Sequence, residues 1–174
     1  VRNADLALYA AKGNGRGRFR FYSSDLHQAA EDRRALEEDL RDALTRGEME
    51  LTYQPVVQAK TNLVTGVEAL IRWTHPERGL ISPSVFVPIA EQLGLINELG
   101  NHVLGAAVAQ IGAWNDEFGP GDFWVSCNVA PPQLDDSTFP DRVMRILDGA
   151  PVAPHRLCVE VTEDSMMSTD RSKR

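Results

Sequence analysis

Three strand-like segments of the sequence each carry one oxygen-bearing side chain on their less apolar face: Glu68, Asn128 and Glu160. Successive side chains of an extended strand point to opposite faces, so each of these residues lies opposite an apolar row suited to covering helices. Two carboxylates and one amide oxygen form a hard, oxygen-only ligand set. Such a set suits Mg²⁺, Mn²⁺ or Ca²⁺ better than zinc.

The run around Glu68 also carries a base. Val67, Ala69 and Ile71 share one side of this run, while Glu68 and Arg72 lie on the other. An ionised carboxylate within an apolar run is costly unless a cation or solvent compensates it. The planar guanidinium of Arg72 suits a two-pronged contact with an anionic oxygen.

Each residue also has an interpretation without function. Glu68 fits the solvated face of an edge strand, Asn128 a turn near a strand end, and Glu160 an exposed strand position. The residues alone leave these alternatives open. Their recurrence on three separate strands is the reason to consider a common site.

Composition excludes some classes of function. The net charge of −7 argues against binding of a nucleic-acid polymer, which needs a basic surface, but not against a small anionic ligand. Cys127 and Cys158 lie in apolar runs and indicate no disulfide framework, which predicts a reducing, cytoplasmic setting. No apolar run approaches the roughly 18 residues of a membrane helix, and no signal peptide is visible.

Both ends of the sequence look cut. The first residue is Val1, and a helix-like pattern is already under way by Asp5. The last residues are polar and directly follow a strand-like run. We therefore expect a piece of a longer protein, and a membrane anchor ahead of this span is left open.

Hydrophobic periodicity predicts the order of the elements. A helix over 4–12 and a short strand over 19–22 precede a helix over 24–46, which Gly47 caps. The charged side of that helix is predicted to be a solvated face, with a dimer seam as the alternative. Two antiparallel strands follow, over 50–57 and 64–73.

The rest of the chain alternates helices and strands. Ser82 and Pro83 start one helix, and Asp136 or Ser137 caps another. The remaining predicted elements are a helix over 96–114 and strands over 123–129 and 157–162. This alternation predicts parallel strands with right-handed crossovers and a site at the carboxyl ends of the strands.

The start of the sequence resembles a known family. The segment Ala4-Asp5-Leu6-Ala7-Leu8-Tyr9-Ala10-Ala11-Lys12, followed by Gly15-Arg16-Gly17-Arg18, is similar to the tail of GGDEF domains, the diguanylate cyclases. The motif that names this family is absent, so cyclase activity is not implied. The glycines and arginines also suit a phosphate cradle, but they lack the flanking strand and helix that would support it.

A second resemblance covers residues 51–167, which are similar to the first half of EAL domains, the cyclic-di-GMP phosphodiesterases. The matching motifs are Tyr53-Gln54-Pro55-Val56-Val57, Gly66-Val67-Glu68-Ala69-Leu70-Ile71-Arg72-Trp73, Pro83 to Ile96, Asn128-Val129 and Val159-Glu160-Val161-Thr162-Glu163. Ala130 stands where the family usually has Ser, and Pro131 and Pro132 stiffen that loop. We expect this departure to alter a contact around the site rather than a ligand.

The EAL resemblance implies an α/β fold: a partial TIM-type (β/α) barrel with an antiparallel first strand, truncated after about four strands and preceded by a linker helix. We assign residues 1–22 to the GGDEF remnant, 23–47 to the linker helix and 48–174 to the first half of the EAL domain. The last range has about half of the roughly 250 residues of a typical barrel. The other catalytic residues of the family are expected beyond Arg174, so the chain alone is predicted to be inactive.

The resemblance also implies a function, the metal-dependent hydrolysis of cyclic-di-GMP to linear pGpG. It implies Mg²⁺ or Mn²⁺ as the cofactor, held by Glu68, Asn128 and Glu160, and substrate contacts from Gln54, Leu70 and Arg72. The predicted partner is cyclic-di-GMP, and a homodimer of the longer protein is a further expectation. The alternative is an inactive cyclic-di-GMP sensor that signals through the helix over 24–46.

Overall fold

A computed structural model describes residues 24–119 and 121–161. The predicted helix over 4–12, the strand over 19–22 and the polar C-terminal end lie outside the described residues. The chain divides into two units after Asp42, so its first helix, α1 (Ser24–Ala43), is treated separately. A charged pair four residues apart, Arg33 Nε donating to Glu37 Oε1 at 3.1 Å, fits the predicted solvated face.

The helix α1 is shorter than predicted. It ends at Ala43 rather than at residue 46, and a turn with Gly47 at φ 69° follows. The N–H of Glu48 donates to the carbonyl of Ala43 at 3.0 Å and closes this turn. Glycine adopts this left-handed conformation at little cost, so Gly47 closes the turn after the helix rather than capping the helix itself as was predicted.

Within residues 24–119 and 121–161, five strands form one sheet: β1 (Met49–Val57), β2 (Val64–His75), β3 (Gly79–Ile81), β4 (Trp124–Asn128) and β5 (Leu157–Glu160). Their order is β1-β2-β4-β5, with β3 paired to β2 off this path. The β1–β2 pair is antiparallel, and the β2–β4 and β4–β5 pairs are parallel. The predicted antiparallel start and the parallel continuation are both confirmed.

In the described part of the chain, four α-helices and a 3-10 turn (Pro154–Arg156) accompany the sheet, the α-helices being α2 (Pro83–Leu93), α3 (Ile96–Phe118), α4 (Pro131–Leu134) and α5 (Phe139–Asp148). Ser82 caps α2 as predicted, because its Oγ accepts the N–H of Ser84 at 3.3 Å. Gly94, at φ 73°, ends the same helix. The helix α3 begins where predicted and runs four residues further, to Phe118.

Three elements differ from the sequence prediction. The strand β3 was not predicted, and the two-proline segment predicted as a loop forms α4. The helix α5 begins at Phe139, so the predicted cap at Asp136 or Ser137 was wrong. The Asp136 carboxylate instead accepts the N–H and Oγ–H of Thr138, at 2.9 and 2.8 Å, before the helix starts.

The core lies on one face of the sheet. The apolar side chains of β2 and β4 pack against α3, with further contributions from α5 and the segment before β5. The buried members are Val67, Ala69, Val103, Leu104, Ala107, Val108, Ile111, Val125, Cys127, Val129, Phe139, Leu147 and Val152. The helices therefore cover the face opposite Glu68, as the alternation of side chains predicts.

A buried arginine joins the amino ends of β4 and β5 to α3. Arg156 is 5% exposed, and its Nε donates to the carbonyl of Phe123 at 2.7 Å. Its Nη1 donates to Asn115 Oδ1, also at 2.7 Å. Because a buried charge is costly without such partners, these two bonds fix the short turn that leads into β5.

Gly66 provides a test of the β2–β4 packing. A Cβ atom there would lie 2.4 Å from the Trp124 ring and 2.7 Å from the Trp124 carbonyl oxygen. The ring can move, but the carbonyl belongs to the paired strand, so we expect Gly66→Ala to lower the free energy of unfolding by about 1–3 kcal/mol. Urea denaturation measures the change.

The matched control is Gly105→Ala in α3, where an added Cβ meets no atom within 4 Å. Alanine is the better helix former, so the free energy of unfolding of this variant should rise by roughly 0.5–1 kcal/mol. Equal stabilities for Gly66→Ala and the unmodified chain would contradict the close β2–β4 approach.

An ionic network joins the start of α3 to α5. Arg142 Nη1 donates to Asp136 Oδ2 at 2.7 Å, and Asn97 Nδ2 donates to the same oxygen at 3.1 Å. The hydrogen bond from Arg142, with those from Thr138, holds the pKa of Asp136 at about 2. These bonds favour the ionised carboxylate in the folded state.

Since the folded pKa of Asp136 lies below that of an unfolded Asp, about 3.9, this stabilisation is present above about pH 4. It is lost as the pH falls towards about 2. We expect Asp136→Asn to be less stable at neutral pH and to lose less stability than the unmodified chain between about pH 4 and 2. Urea unfolding across this pH range tests the expectation.

Asp135→Asn is the control, because the Asp135 side chain is exposed and takes part in no hydrogen bond in the part of the chain that the structure describes. It should keep the pH dependence of the unmodified chain. If Asp136→Asn lost as much stability as the unmodified chain when the pH falls, the network would not stabilise the fold.

Candidate functional site

Strand register places the candidate residues side by side. Gln54 of β1 pairs with Glu68 of β2, and Glu68 pairs with Ser126 of β4. Further along β4, Asn128 pairs with Glu160 of β5. Because side chains alternate along each strand, all of these lie on the face opposite the α3 core.

A direct contact links two of the candidate metal ligands. Asn128 Nδ2 donates to Glu68 Oε1 at 2.6 Å, a short bond typical of a carboxylate acceptor. Glu68 is half-buried and Asn128 is exposed. The N–H of Val129, directly after Asn128, donates to the carbonyl of Glu160 at 2.9 Å and keeps β4 and β5 together at this point.

The donor atoms fit a hard divalent cation. Glu68, Asn128 and Glu160 supply only oxygen ligands. Below them Ser126 is wholly buried beside Glu68, and within the described ranges its Oγ has no hydrogen-bond partner. Residues 24–119 and 121–161 contain no cluster of three or more His, Cys, Asp or Glu side chains that could hold a metal. The candidate set therefore depends on the amide of Asn128 as well as on the two carboxylates.

A cavity of about 360 Å³ opens beside these residues, and its lining includes residues of β2, of the end of β4 and of the helices α2 and α3. Leu70, Arg72 and Asn128 line its strand side. The Arg72 side chain is half-buried, and its Nη1 donates to the carbonyl of Ile71 at 3.0 Å. That bond uses one donor of the guanidinium and leaves others for an anionic ligand.

The six residues predicted for the site fall into two groups. Leu70, Arg72 and Asn128 line the cavity, and Glu68 is joined to it by its bond to Asn128. The remaining two are neighbours in strand register but do not line the cavity: Gln54 beside Glu68, and Glu160 beside Asn128. The structure thus places all six on one face, which is the arrangement that the strand pattern predicts.

Two polar side chains of the cavity wall were not predicted as site residues. Glu91 is exposed on α2, and Gln133 is a buried residue of α4. Helical periodicity identifies Glu91 only as a polar position, and the two prolines before Gln133 concealed a helix. An unexplained polar residue shortly after a candidate ligand is the signal that could have drawn attention to Gln133.

Cys127 is a buried residue of the core, whereas Cys158 is exposed. Burial raises the pKa of the Cys127 thiol to about 12, and the nearby Cys158 and Glu160 contribute in the same direction. A thiol with such a pKa stays neutral, so Cys127 acts as a small apolar residue of the core. Burial also raises the pKa of Tyr53. The Tyr53 ring packs edge-on against the Trp114 ring, with 5.1 Å between the ring centroids.

Two bacterial proteins are similar in sequence to most of the chain. It is 40% identical over 165 residues to the bifunctional diguanylate cyclase/cyclic di-GMP phosphodiesterase MucR of Pseudomonas aeruginosa, covering 95% of this chain and 24% of MucR. It is 34% identical over 170 residues to the cyclic di-GMP phosphodiesterase PdeR of Escherichia coli, covering 98% of this chain and 25% of PdeR. The chain thus spans about a quarter of these relatives. In the described ranges, no helix is both long and apolar enough to cross a membrane.

Solved structures show the same fold. The PaMucR phosphodiesterase in complex with c-di-GMP superposes with a TM-score of 0.73 at 39% identity, covering 79% of this chain and 56% of that one. The EAL enzyme Bd1971 in its cGMP-bound form superposes with a TM-score of 0.72 at 30% identity, covering 82% of this chain and 40% of that one. The sequence profile of the EAL domain matches residues 37–173, from within α1 onward. This chain therefore belongs to the EAL domain family.

Proposed function

We propose that this chain forms the first half of an EAL barrel, and that the protein containing it hydrolyses cyclic-di-GMP to linear pGpG. The observation that carries the proposal is the Glu68–Asn128 contact at 2.6 Å, with Glu160 in register beside it and Arg72 in the adjoining cavity. The relatives MucR and PdeR, both described as cyclic-di-GMP phosphodiesterases, support it.

Glu68, Asn128 and Glu160 are the residues that would hold Mg²⁺ or Mn²⁺. When bound, a divalent ion supplies Lewis-acid activation of water and neutralises charge on the phosphate oxygens. The position of two carboxylates and an amide on adjacent strands supports this assignment. Strands hold such groups more rigidly than loops, so little reorganisation is needed when the ion binds.

Arg72 and Leu70 are the proposed substrate contacts within the cavity, and Gln54 contributes from the neighbouring strand. The guanidinium of Arg72 presents paired N–H donors to a phosphate, while Leu70 offers an apolar surface to a base. Net charge is −7, so a dianionic ligand needs such a local cation to approach.

The proposal includes a domain order. In this order, residues 1–22 are the tail of a GGDEF domain, 23–47 are the linker and 48–174 belong to the EAL domain. The bifunctional cyclase and phosphodiesterase MucR, which matches 95% of this chain, supports a GGDEF domain ahead of the EAL domain. The helix α1 accounts for most of the linker range.

Substituting Glu68 tests the proposed enzyme directly. Glu68→Gln keeps the size of the side chain but removes its charge, so we expect cyclic-di-GMP hydrolysis by the full-length protein to fall roughly a hundredfold or more. Formation of pGpG, followed by chromatography at saturating Mg²⁺, measures the loss. Unchanged activity would refute the role of Glu68.

Arg72 is tested through affinity. A hydrogen-bonded contact to a charged group contributes about 1.5–3 kcal/mol, so Arg72→Ala should weaken cyclic-di-GMP binding roughly ten- to hundredfold. Arg72→Lys keeps the charge but loses the planar fork of the guanidinium. Its affinity for cyclic-di-GMP should lie between those of Arg72→Ala and the unsubstituted protein. Calorimetry in the presence of Ca²⁺ measures binding, and Lys60→Ala, which removes an exposed cation from the β1–β2 turn, is the control.

A cyclic-di-GMP sensor without turnover is the second candidate. The cavity walls at Leu70 and Arg72 suit the ligand independently of the metal set, and this observation is compatible with binding alone. The two candidates differ in one result of the hydrolysis assay. Binding of cyclic-di-GMP without formation of pGpG by the unsubstituted full-length protein would favour the sensor.

A further inference from the structure

A buried glutamine is hydrogen-bonded to the segment that follows Asn128. Gln133 is 2% exposed, and its side-chain Oε1 accepts the N–H of Ala130 at 3.0 Å. The backbone N–H of Gln133 donates to the carbonyl of Ala130, also at 3.0 Å. Both backbone polar groups of Ala130, two residues beyond Asn128, are therefore bonded to this one residue.

The prolines make the side-chain bond more important. Pro131 and Pro132 have no N–H, so Ala130 supplies the only backbone donor between Val129 and Gln133. The N–H of Val129 is already paired with the carbonyl of Glu160 at 2.9 Å. The two backbone N–H groups between Asn128 and the prolines are thus held by one bond across the sheet and by one bond to the Gln133 side chain.

The helix α3 fixes the carboxamide of Gln133 from the other side. Gly100 lies directly beneath it, and a Cβ atom on Gly100 would lie 1.8 Å from Gln133 Nε2. The amide therefore packs on the helix backbone, where any larger residue would displace it. This close approach accounts for a glycine within α3, which is otherwise an unfavourable position for it.

We propose that Gln133 is a positioning residue for the metal ligand Asn128, and this inference rests on the proposed function. By holding Ala130, Gln133 sets where β4 ends and so how the Asn128 amide is presented beside Glu68 and Glu160. Groups that orient a ligand commonly change metal affinity roughly 10- to 100-fold when removed. The Gln133 side chain itself binds neither metal nor substrate in this proposal.

The first experiment substitutes Gln133 in the full-length protein. Gln133→Met keeps the length of the side chain but has no amide oxygen, whereas Gln133→Glu keeps an acceptor at the same place. We expect Gln133→Met to raise the dissociation constant for Mn²⁺ roughly tenfold or more and Gln133→Glu to restore most of the affinity. Titration followed by electron paramagnetic resonance measures free Mn²⁺ without any need for turnover.

A second readout is local to the turn. Residue-resolved hydrogen exchange should show faster exchange of the Ala130 amide in Gln133→Met and near-normal exchange in Gln133→Glu. Gly100→Ala, which displaces the carboxamide while leaving Gln133 in place, should give the same two changes. If Gln133→Met does not fold, Gly100→Ala provides the test in its place. Gly105→Ala, in the same helix with open space around it, should give neither change.

The outcomes separate the two proposals. Unsubstituted protein that binds Mn²⁺, with unchanged affinity in Gln133→Met and Gly100→Ala, would overturn the positioning role and leave the proposed function intact. Lower affinity in both variants, with rescue by Gln133→Glu, supports it. Unsubstituted protein that binds neither Mn²⁺ nor Mg²⁺ would refute the proposed function, and this inference with it.

Discussion

Parallel register between β2, β4 and β5 is the constraint on which the rest of the structure depends. The apolar rows of β2 and β4, represented by Val67 and Val125, must face α3 to be buried. Alternation then leaves Glu68 and Asn128 on the other face. A slip of one residue would bury a carboxylate and expose the core, so the packing that stabilises the sheet also places the candidate ligands.

The elements that the sequence predicted well are those governed by local rules. The two-residue alternation of β1, β2, β4 and β5 and the Ser82 cap of α2 depend only on neighbouring residues. The elements that it missed depend on distant contacts. The start of α5 is set by Asp136, which bonds Asn97 of α3 and Arg142 of α5 instead of capping. For β3, both the N–H of Glu77 and that of Arg78 donate to His75 Nδ1 in a turn that no short pattern encodes.

The same distinction applies to the candidate site. Glu68, Asn128 and Glu160 could be found from the sequence because a strand position alone decides which face each residue takes. The cavity could not, since its helix wall depends on how α2 and α3 approach the sheet. Gly100 and Gln133 meet only because two elements 33 residues apart in sequence pack without an intervening side chain. Hydrophobic periodicity carries no information about such a contact.

The Asn128–Glu68 hydrogen bond is compatible with both residues acting as ligands. Only the nitrogen end of the amide can donate to a carboxylate, so the bond from Nδ2 leaves Asn128 Oδ1 directed away from Glu68 Oε1. Glu68 retains its second oxygen. An aspartate in place of Asn128 would set two carboxylates against each other, and without a cation their repulsion would raise the pKa of one of them. An asparagine instead donates to Glu68 and keeps its amide oxygen out of that bond, while the N–H of Ala130, two residues further on, donates to Gln133 Oε1.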